Sequence, residues 1–187
     1  MNTTARIALK LIPDSLRTQP VFLCVDDTMV SKFGTKFENV SKLFDHAAHN
    51  GSNYLNGHCF VSVMLCVPVW NGDKVSYLSV PLGYRMWQKK ESKLELAASM
   101  IRQVMPEFHS KDHIIILCDS WYTKKRLFFS TIFPEDLQIF CAWQEKAPLN
   151  QTGSDRMKYI PLLLYSLRWN IETSYYEQKA YRSFVLN

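Results

Sequence analysis

The sequence predicts an α/β fold, a mixed sheet flanked by helices. Two short and continuously apolar runs, residues 21–25 and 113–118, each lead into an aspartate, and strands that are buried on both faces of a sheet have this composition. Between them, apolar residues recur at helical spacing over 94–105. Two further apolar runs meet at Asn71-Gly72-Asp73, and Asn-Gly is typical of a hairpin turn.

Length and composition predict a single globular domain. The chain has 187 residues and is 47% apolar, which suits one domain with a sizeable core. Its net charge of +5 suits a polyanionic partner. The five cysteines form no Cys-x-x-Cys pair, so we expect buried, reduced thiols rather than disulfides or zinc ligands. No signal peptide or membrane span is evident, and we expect a cytoplasmic protein with no membrane partner.

The first half of the chain is predicted to be strand-rich. Residues 1–20 form an N-terminal tail or short helix that ends near Ile12-Pro13. The polar segment 29–57 has the composition of a long functional loop. The strands are predicted at 21–25, 58–69 and 75–84.

The second half begins with a helix and a strand. Ser92 is a helix cap and Pro106 a helix stop around the periodic segment. The strand at 113–118 ends at Asp119, so both apolar strands deliver an aspartate at their carboxyl ends, where α/β sheets usually bind ligands. The remaining segments are strand-like runs at 126–132 and 137–140, a polar linker at 145–158 and a long helix at 159–182.

The long helix carries a mixed polar and aromatic stripe. At about 100° per residue, one side presents Tyr165, Arg168, Trp169, Glu172 and Lys179, while leucine and isoleucine side chains form the opposite side and can pack on the sheet. A solvated face is the simple interpretation, because an exposed Arg–Glu pair four residues apart contributes only a few tenths of a kcal/mol. The interleaved aromatics argue against it.

The same residues carry a family resemblance. Tyr165-x2-Arg168-x3-Glu172-x6-Lys179 resembles the Y-R-E-K signature of a large group of DDE-type bacterial insertion-sequence transposases. Asp26-Asp27-Thr28 resembles the first catalytic block of that group, and residues 117–122 resemble the second. The three blocks occur in the family's order and span most of residues 20–182.

The resemblance implies a ribonuclease H-like catalytic domain over residues 21–187. In it Asp26, Asp119 and Glu172 would be catalytic and would hold two Mg²⁺ ions, with Mn²⁺ able to substitute, for DNA cleavage and strand transfer at transposon ends. Asp26 is preferred because it continues the Phe22/Cys24 alternation and the family shows Asp-x-Thr. Asp27, as the alternative, would otherwise be a turn residue.

The resemblance also implies partners. Arg168 and Lys179 would contact transposon-end phosphates, Tyr165 would position a phosphate, and Trp169 would either stack on an unpaired base or pack in the core. The partners that the resemblance implies are double-stranded DNA and a second transposase copy in a synaptic complex. It also implies a location in the bacterial cytosol near the nucleoid. The polar loop also contains three lysines, Lys32, Lys36 and Lys42. They would either line the DNA path or be merely solvated.

Two features depart from the family and leave alternatives open. The strand-like run at Arg126 begins too soon after Asp119 for a parallel crossover, which needs about a dozen residues. This predicts an internal deletion near 125/126, an incomplete fold and little or no cleavage. The N-terminal segment is also short for a DNA-binding domain. Three alternatives are left open: a transposase core, a non-catalytic remnant that only binds DNA, and a ribonuclease H-like cellular nuclease.

Overall fold

The computed structural model describes residues 1–34, 36–44, 53–109, 111–119, 138–142 and 173. This part of the chain forms a mixed α/β structure with short 3₁₀ segments at Asp14–Leu16 and Met105–Glu107. The predicted α/β class is therefore confirmed. Its elements are α1 (Asn2–Lys10), β1 (Val21–Ser31), β2 (Ser41–Phe44), β3 (Tyr54–Asn71), β4 (Lys74–Trp87), α2 (Lys93–Val104), β5 (Ile114–Asp119) and β6 (Gln138–Ala142).

The strands form one six-stranded mixed sheet in the order β2-β3-β1-β5-β6, with β4 also paired to β3. The pairs β1–β3, β2–β3 and β3–β4 are antiparallel, whereas β1–β5 and β5–β6 are parallel. Gly57 of β3 pairs with Ser31 of β1 and with Ser41 of β2. Strands β2 and β4 therefore follow one another along the edge of β3 that lies opposite β1.

Local signals set α2 and the β3–β4 hairpin. Ser92 accepts a hydrogen bond from the Glu95 backbone N–H, and the Glu95 side chain accepts one from the Ser92 backbone N–H, which completes a capping box. The hairpin reverses at Gly72, which has a φ of +60°, a value that glycine adopts at little cost. Both features agree with the sequence prediction.

The sheet has a buried cluster on each face. One face packs against α1 and α2 through side chains such as Leu23, Leu65 and Ile101, which are fully buried. The other face contains a smaller cluster, Phe22, Cys24, Met64, Cys66, Ile115 and Leu117. Since alternate residues of a strand share a face, odd-numbered residues of β1 face the helices and even-numbered residues face away from them.

The structure corrects the predicted loop at 29–57. Strand β1 continues to Ser31, β2 occupies part of the segment, and β3 already begins at Tyr54. The segment looked like a loop because it is polar. Its first residues are nevertheless strand, because residues 29–31 pair with residues 57–59 of β3 and antiparallel sheets tolerate a solvated face.

The predicted deletion near 125/126 rests on the run at 126–132 and stays a prediction, but the described strands show how long the connection from β5 to its parallel neighbour β6 is. The strand that pairs in parallel with β5 begins at Gln138. Residues 120–137 connect the two strands, and this is more than the dozen or so residues that a parallel crossover needs. The predicted strand at 126–132 lies outside the described residues.

Candidate functional site

The two aspartates predicted to be catalytic lie on adjacent parallel strands. The parallel pairing of β1 with β5 runs from Val21 opposite Ile114 to Val25 opposite Cys118. Asp26 and Asp119 are the next residue of each strand. Asp119 ends β5 as expected, whereas Asp26 is internal to β1 and marks only the end of the parallel pairing. The expectation that Asp26 ends its strand is therefore wrong, because β1 goes on to pair with β3 alone.

Asp26 lies on the sheet face away from the helices. It follows Phe22 and Cys24, which are both fully buried in the cluster on that face. The side chain of Asp26 is half-buried, and its Oδ1 accepts a hydrogen bond of 2.9 Å from the Asp27 backbone N–H. This contact holds the carboxylate close to the backbone at the point where the buried part of the face ends.

Two polar residues that the sequence analysis missed occupy the same cross-strand row. Ser62 of β3 is opposite Asp26, and Tyr84 of β4 is opposite Ser62. In the described part of the chain Ser62 is the one buried polar residue, 3% exposed, and its Oγ donates a hydrogen bond to the Asp26 carbonyl oxygen at 3.4 Å. The row therefore continues from Asp26 across β3 to β4.

A bulge determines which residue of β4 joins this row. The pairing of β3 with β4 shifts by one residue between Val63 and Met64, so that Leu82 is the additional residue on β4. Without this shift Gly83 would lie opposite Ser62. Pro81 and Gly83 were the available signals, because proline inside a strand is confined to edges and bulges and glycine often marks a bulge.

Asp27 has a different environment on the helix face. Its Oδ2 accepts a hydrogen bond of 2.6 Å from Lys93 Nζ at the start of α2, and the two side chains are only 20% and 18% exposed. Cys59 Sγ lies 3.5 Å from the same oxygen, and the ring of Trp87 lies 5.4 Å from Lys93 Nζ. Asp27 thus anchors α2 to β1, which favours Asp26 as the aspartate of the site.

The pKa values around Asp27 reflect burial and its negative charge. Burial, followed by the nearby Asp27 carboxylate, raises the pKa of Cys59 to about 11, so the thiol stays protonated at neutral pH. Burial alone lowers the pKa of Lys93, but Asp27 and Cys59 more than offset this, and the net pKa is raised. The cluster therefore holds an ion pair and a neutral thiol.

The other predicted site residues lie outside the described residues. These are Tyr165, Arg168, Trp169, Glu172 and Lys179; the neighbouring Thr173 is helical. Among the residues that the structure does describe, no three His, Cys, Asp or Glu side chains come together to hold a metal ion. The third carboxylate remains a sequence prediction.

No protein-family model, curated protein or solved structure matches this chain. The helices in the described ranges are all too short or too polar to cross a membrane.

Proposed function

We propose that this chain is the catalytic core of a DDE-type insertion-sequence transposase, which cleaves DNA and transfers strands at transposon ends with the help of divalent metal ions. The observation that carries the proposal is the position of Asp26 and Asp119 at adjacent places on the parallel strands β1 and β5. The family resemblance had selected the same two residues from motifs that are far apart in the sequence.

The sheet topology supports a ribonuclease H-like fold for this core. Strands β1, β3 and β4 form an antiparallel unit, α2 follows, and β5 and β6 then add in parallel beside β1. The order antiparallel strands, helix and parallel strands agrees with a mixed sheet of that class. The length of the β5–β6 connection is also compatible with an intact domain rather than a deleted one.

The donor atoms suit Mg²⁺ or Mn²⁺. Both residues supply carboxylate oxygens, which these hard cations prefer. Asp26 and Asp119 are the residues that directly follow the last pair of the parallel ladder between β1 and β5, and neighbouring strands are about 4.8 Å apart. Aspartates at neighbouring positions on adjacent strands would be able to bind the same ion.

The residues of this chain would hold and orient the reacting groups. When bound, divalent metal ions lower the pKa of a bound water and stabilise the leaving oxygen. Asp26, Asp119 and, by resemblance, Glu172 would hold those ions. Arg168 and Lys179 would contact transposon-end phosphates, and Tyr165 would position a phosphate.

Metal binding and cleavage can be tested separately. We expect the wild-type chain to bind Mn²⁺, measured by electron paramagnetic resonance, and to nick supercoiled plasmid in Mg²⁺ or Mn²⁺. Asp26→Asn should weaken Mn²⁺ binding by about tenfold or more, since a charged oxygen ligand is lost, and should abolish nicking. The matched control is Asp73→Asn, which changes a carboxylate in the β3–β4 turn and should behave like wild type.

The outcomes separate the alternatives. Equal Mn²⁺ affinity in wild type and Asp26→Asn would reject the proposed site. Normal Asp26-dependent Mn²⁺ binding without nicking would instead favour a non-catalytic remnant.

A further inference from the structure

The sheet face that carries Asp26 continues well beyond the candidate metal site. The pairing of β1 with β3 has a constant register from Phe22–Cys66 to Ser31–Gly57, and the pairing of β2 with β3 is equally regular. Alternation therefore places Phe60, His58 and Tyr54 on the same face as Ser62 and Asp26. On β2, Lys42 and Phe44 lie opposite Asn56 and Tyr54 and share that face. We call Lys42, Phe44, Tyr54, His58 and Phe60 the aromatic track.

The rings at the outer end of the aromatic track are exposed. Tyr54 is 52% exposed and Phe44 is 42% exposed, whereas Leu43, between the track residues of β2, is 4% exposed. His58 and Phe60 are half-buried, and Cys59 between them is buried. In this part of the sheet the buried side chains thus lie on the helix face, and aromatic rings lie on the other face, where an ordinary solvated surface would be polar.

The track combines rings with positive charge. The rings of Phe44 and Tyr54 meet edge to face with centroids 5.3 Å apart, and Lys42 Nζ lies 4.7 Å from the Tyr54 ring centroid. Lys89 Nζ reaches the carbonyl oxygen of Lys42 at 3.5 Å. A phosphate beside the ring of Tyr54 would therefore meet at least one ammonium group.

The loop after β1 adds further groups of the same kind. Phe33 is 89% exposed and Phe37 is 49% exposed, and Lys32 Nζ lies 5.3 Å from the Phe37 ring centroid. The backbone N–H of Lys32 donates to the carbonyl oxygen of Asn56, which holds the beginning of the loop against β3. Residues 31–44 contain three lysines and a single acidic residue, Glu38, so the surface is complementary to a polyanion.

We propose that the aromatic track and its adjoining lysines bind single-stranded DNA and lead it to the Asp26 site. Proteins that bind single strands without sequence preference combine a basic path with exposed rings on which bases stack. In a duplex the faces of the bases are covered by the neighbouring base pairs. The lysines could therefore bind the phosphates of either form of DNA, whereas the rings could stack only on unpaired bases. The path to Asp26 rests on the proposed function, whereas the binding itself does not.

The dimensions fit a short oligonucleotide. From Ser62 to Tyr54 the strand covers about 26 Å at about 3.3 Å per residue. A strand of DNA with about 3.4 Å per nucleotide would cover that distance with about eight nucleotides. An oligonucleotide of about ten thymidines is therefore long enough to occupy the track.

The test uses the full chain and fluorescence anisotropy with labelled oligothymidine of about ten nucleotides, chosen to cover the track. EDTA is present, so that metal binding at Asp26 plays no part. Tyr54→Leu and Phe44→Leu keep apolar area but remove the ring, and each should weaken binding about tenfold, the typical effect of losing one stacked base. The control is Trp70→Leu, which removes a 49% exposed ring at the other end of β3 and should leave the Kd within about twofold, as expected for a ring outside the path.

Salt dependence and a duplex complete the test. Lys42→Gln should reduce the log–log salt slope by about 0.7, the value for one phosphate contact on a single strand. A blunt duplex of the same sequence should bind more weakly than the single strand and should be insensitive to Tyr54→Leu. Phe37→Leu removes a ring from an exposed loop, where the substitution should not affect folding. It should also weaken binding of the single strand.

Three results would overturn the inference: unchanged single-strand binding in all the ring variants, an equal loss in Trp70→Leu, or preferential duplex binding. Because Asp26→Asn should bind oligothymidine at least as tightly as wild type, failure of the catalytic proposal and failure of the track are distinguishable. If the ring variants weaken single-strand binding but Mn²⁺ binding does not depend on Asp26, the track is supported and the metal site is not. Loss of the ring effects with normal Mn²⁺ binding rejects the track alone.

Discussion

At the residue scale, two consecutive aspartates have different environments because a strand directs them to opposite faces. Asp26 lies at the end of the buried cluster on the open face, with its Oδ1 bound to the Asp27 N–H. Asp27 lies under α2 and pairs with Lys93. A half-buried carboxylate without its cation would be costly, so the ion pair makes Asp27 a structural residue.

We therefore expect Lys93→Met to destabilise the protein by about 2 kcal/mol at neutral pH, since it leaves a half-buried carboxylate without its charged donor. Urea denaturation would measure the loss. Lys90→Met, which changes an exposed lysine of the preceding turn, should be neutral.

The Lys93 contribution should also depend on pH. The pKa of Lys93 is raised above its ordinary value of 10.5 in the folded chain, so its stabilisation is complete below pH 10.5 and declines as the pH rises through the folded value. The difference between wild type and Lys93→Met should accordingly shrink at high pH. A difference that grows with pH would contradict the ion-pair argument.

At the scale of elements, β3 is the strand that pairs with most of the others. It is 18 residues long and pairs with β1, β2 and β4. The strands β1 and β2 both pair with it at Gly57. A Cβ at this position would collide with the carbonyl group of Val30 and lie 2.9 Å from Leu55 Cδ1, so the close approach requires glycine.

Gly57→Ala should cost about 2–3 kcal/mol, because the backbone of β1 would have to move. Gly83→Ala is the matched control in β4: its Cβ would meet Met1 Cγ at 2.9 Å, the side chain there is flexible, and the cost should stay below about 1 kcal/mol. Thermal denaturation followed by circular dichroism would compare the two. Equal losses would show that the contact at Val30 does not control packing at this point.

At the scale of the whole molecule, α1 and α2 pack on one face of the sheet. Helix α1 is connected to the segment after α2 by Arg6, whose Nε and Nη2 donate to the two carboxylate oxygens of Glu107 at 2.9 and 3.2 Å. This pair spans 101 positions of sequence. It joins the first helix to the 3₁₀ segment that follows the second, on the face away from the aromatic track.

Glu107→Gln should lower stability at neutral pH but not in acid. The hydrogen bond and charge of Arg6 lower the pKa of Glu107 below 4.5, so its stabilisation is present above pH 4.5 and is lost as the pH falls through the folded value. Unfolding midpoints of wild type and variant should therefore converge in acid. Glu38→Gln, in the loop after β1, is the control and should follow wild type throughout.

Much of the fold could be predicted because its signals are local. The Ser92 cap, the Asn71-Gly72 turn and the apolar runs that precede Asp26 and Asp119 each depend on a few consecutive residues. The polar ends of β1 and β3 could not be predicted in this way. A strand with one solvated face lacks an apolar run, and its conformation comes from pairing with a distant segment.

The sequence by itself determined the class of fold, the α2 helix, the hairpin and the preference for Asp26 over Asp27, since strand alternation is a property of consecutive residues. The tertiary structure alone decided that β1 and β5 are neighbours and that Lys93 neutralises Asp27 across 66 positions. It also decided that a bulge at Leu82 brings Tyr84 opposite Ser62. These arrangements depend on non-local pairing, in which a shift of one residue moves each side chain to the other face of the sheet.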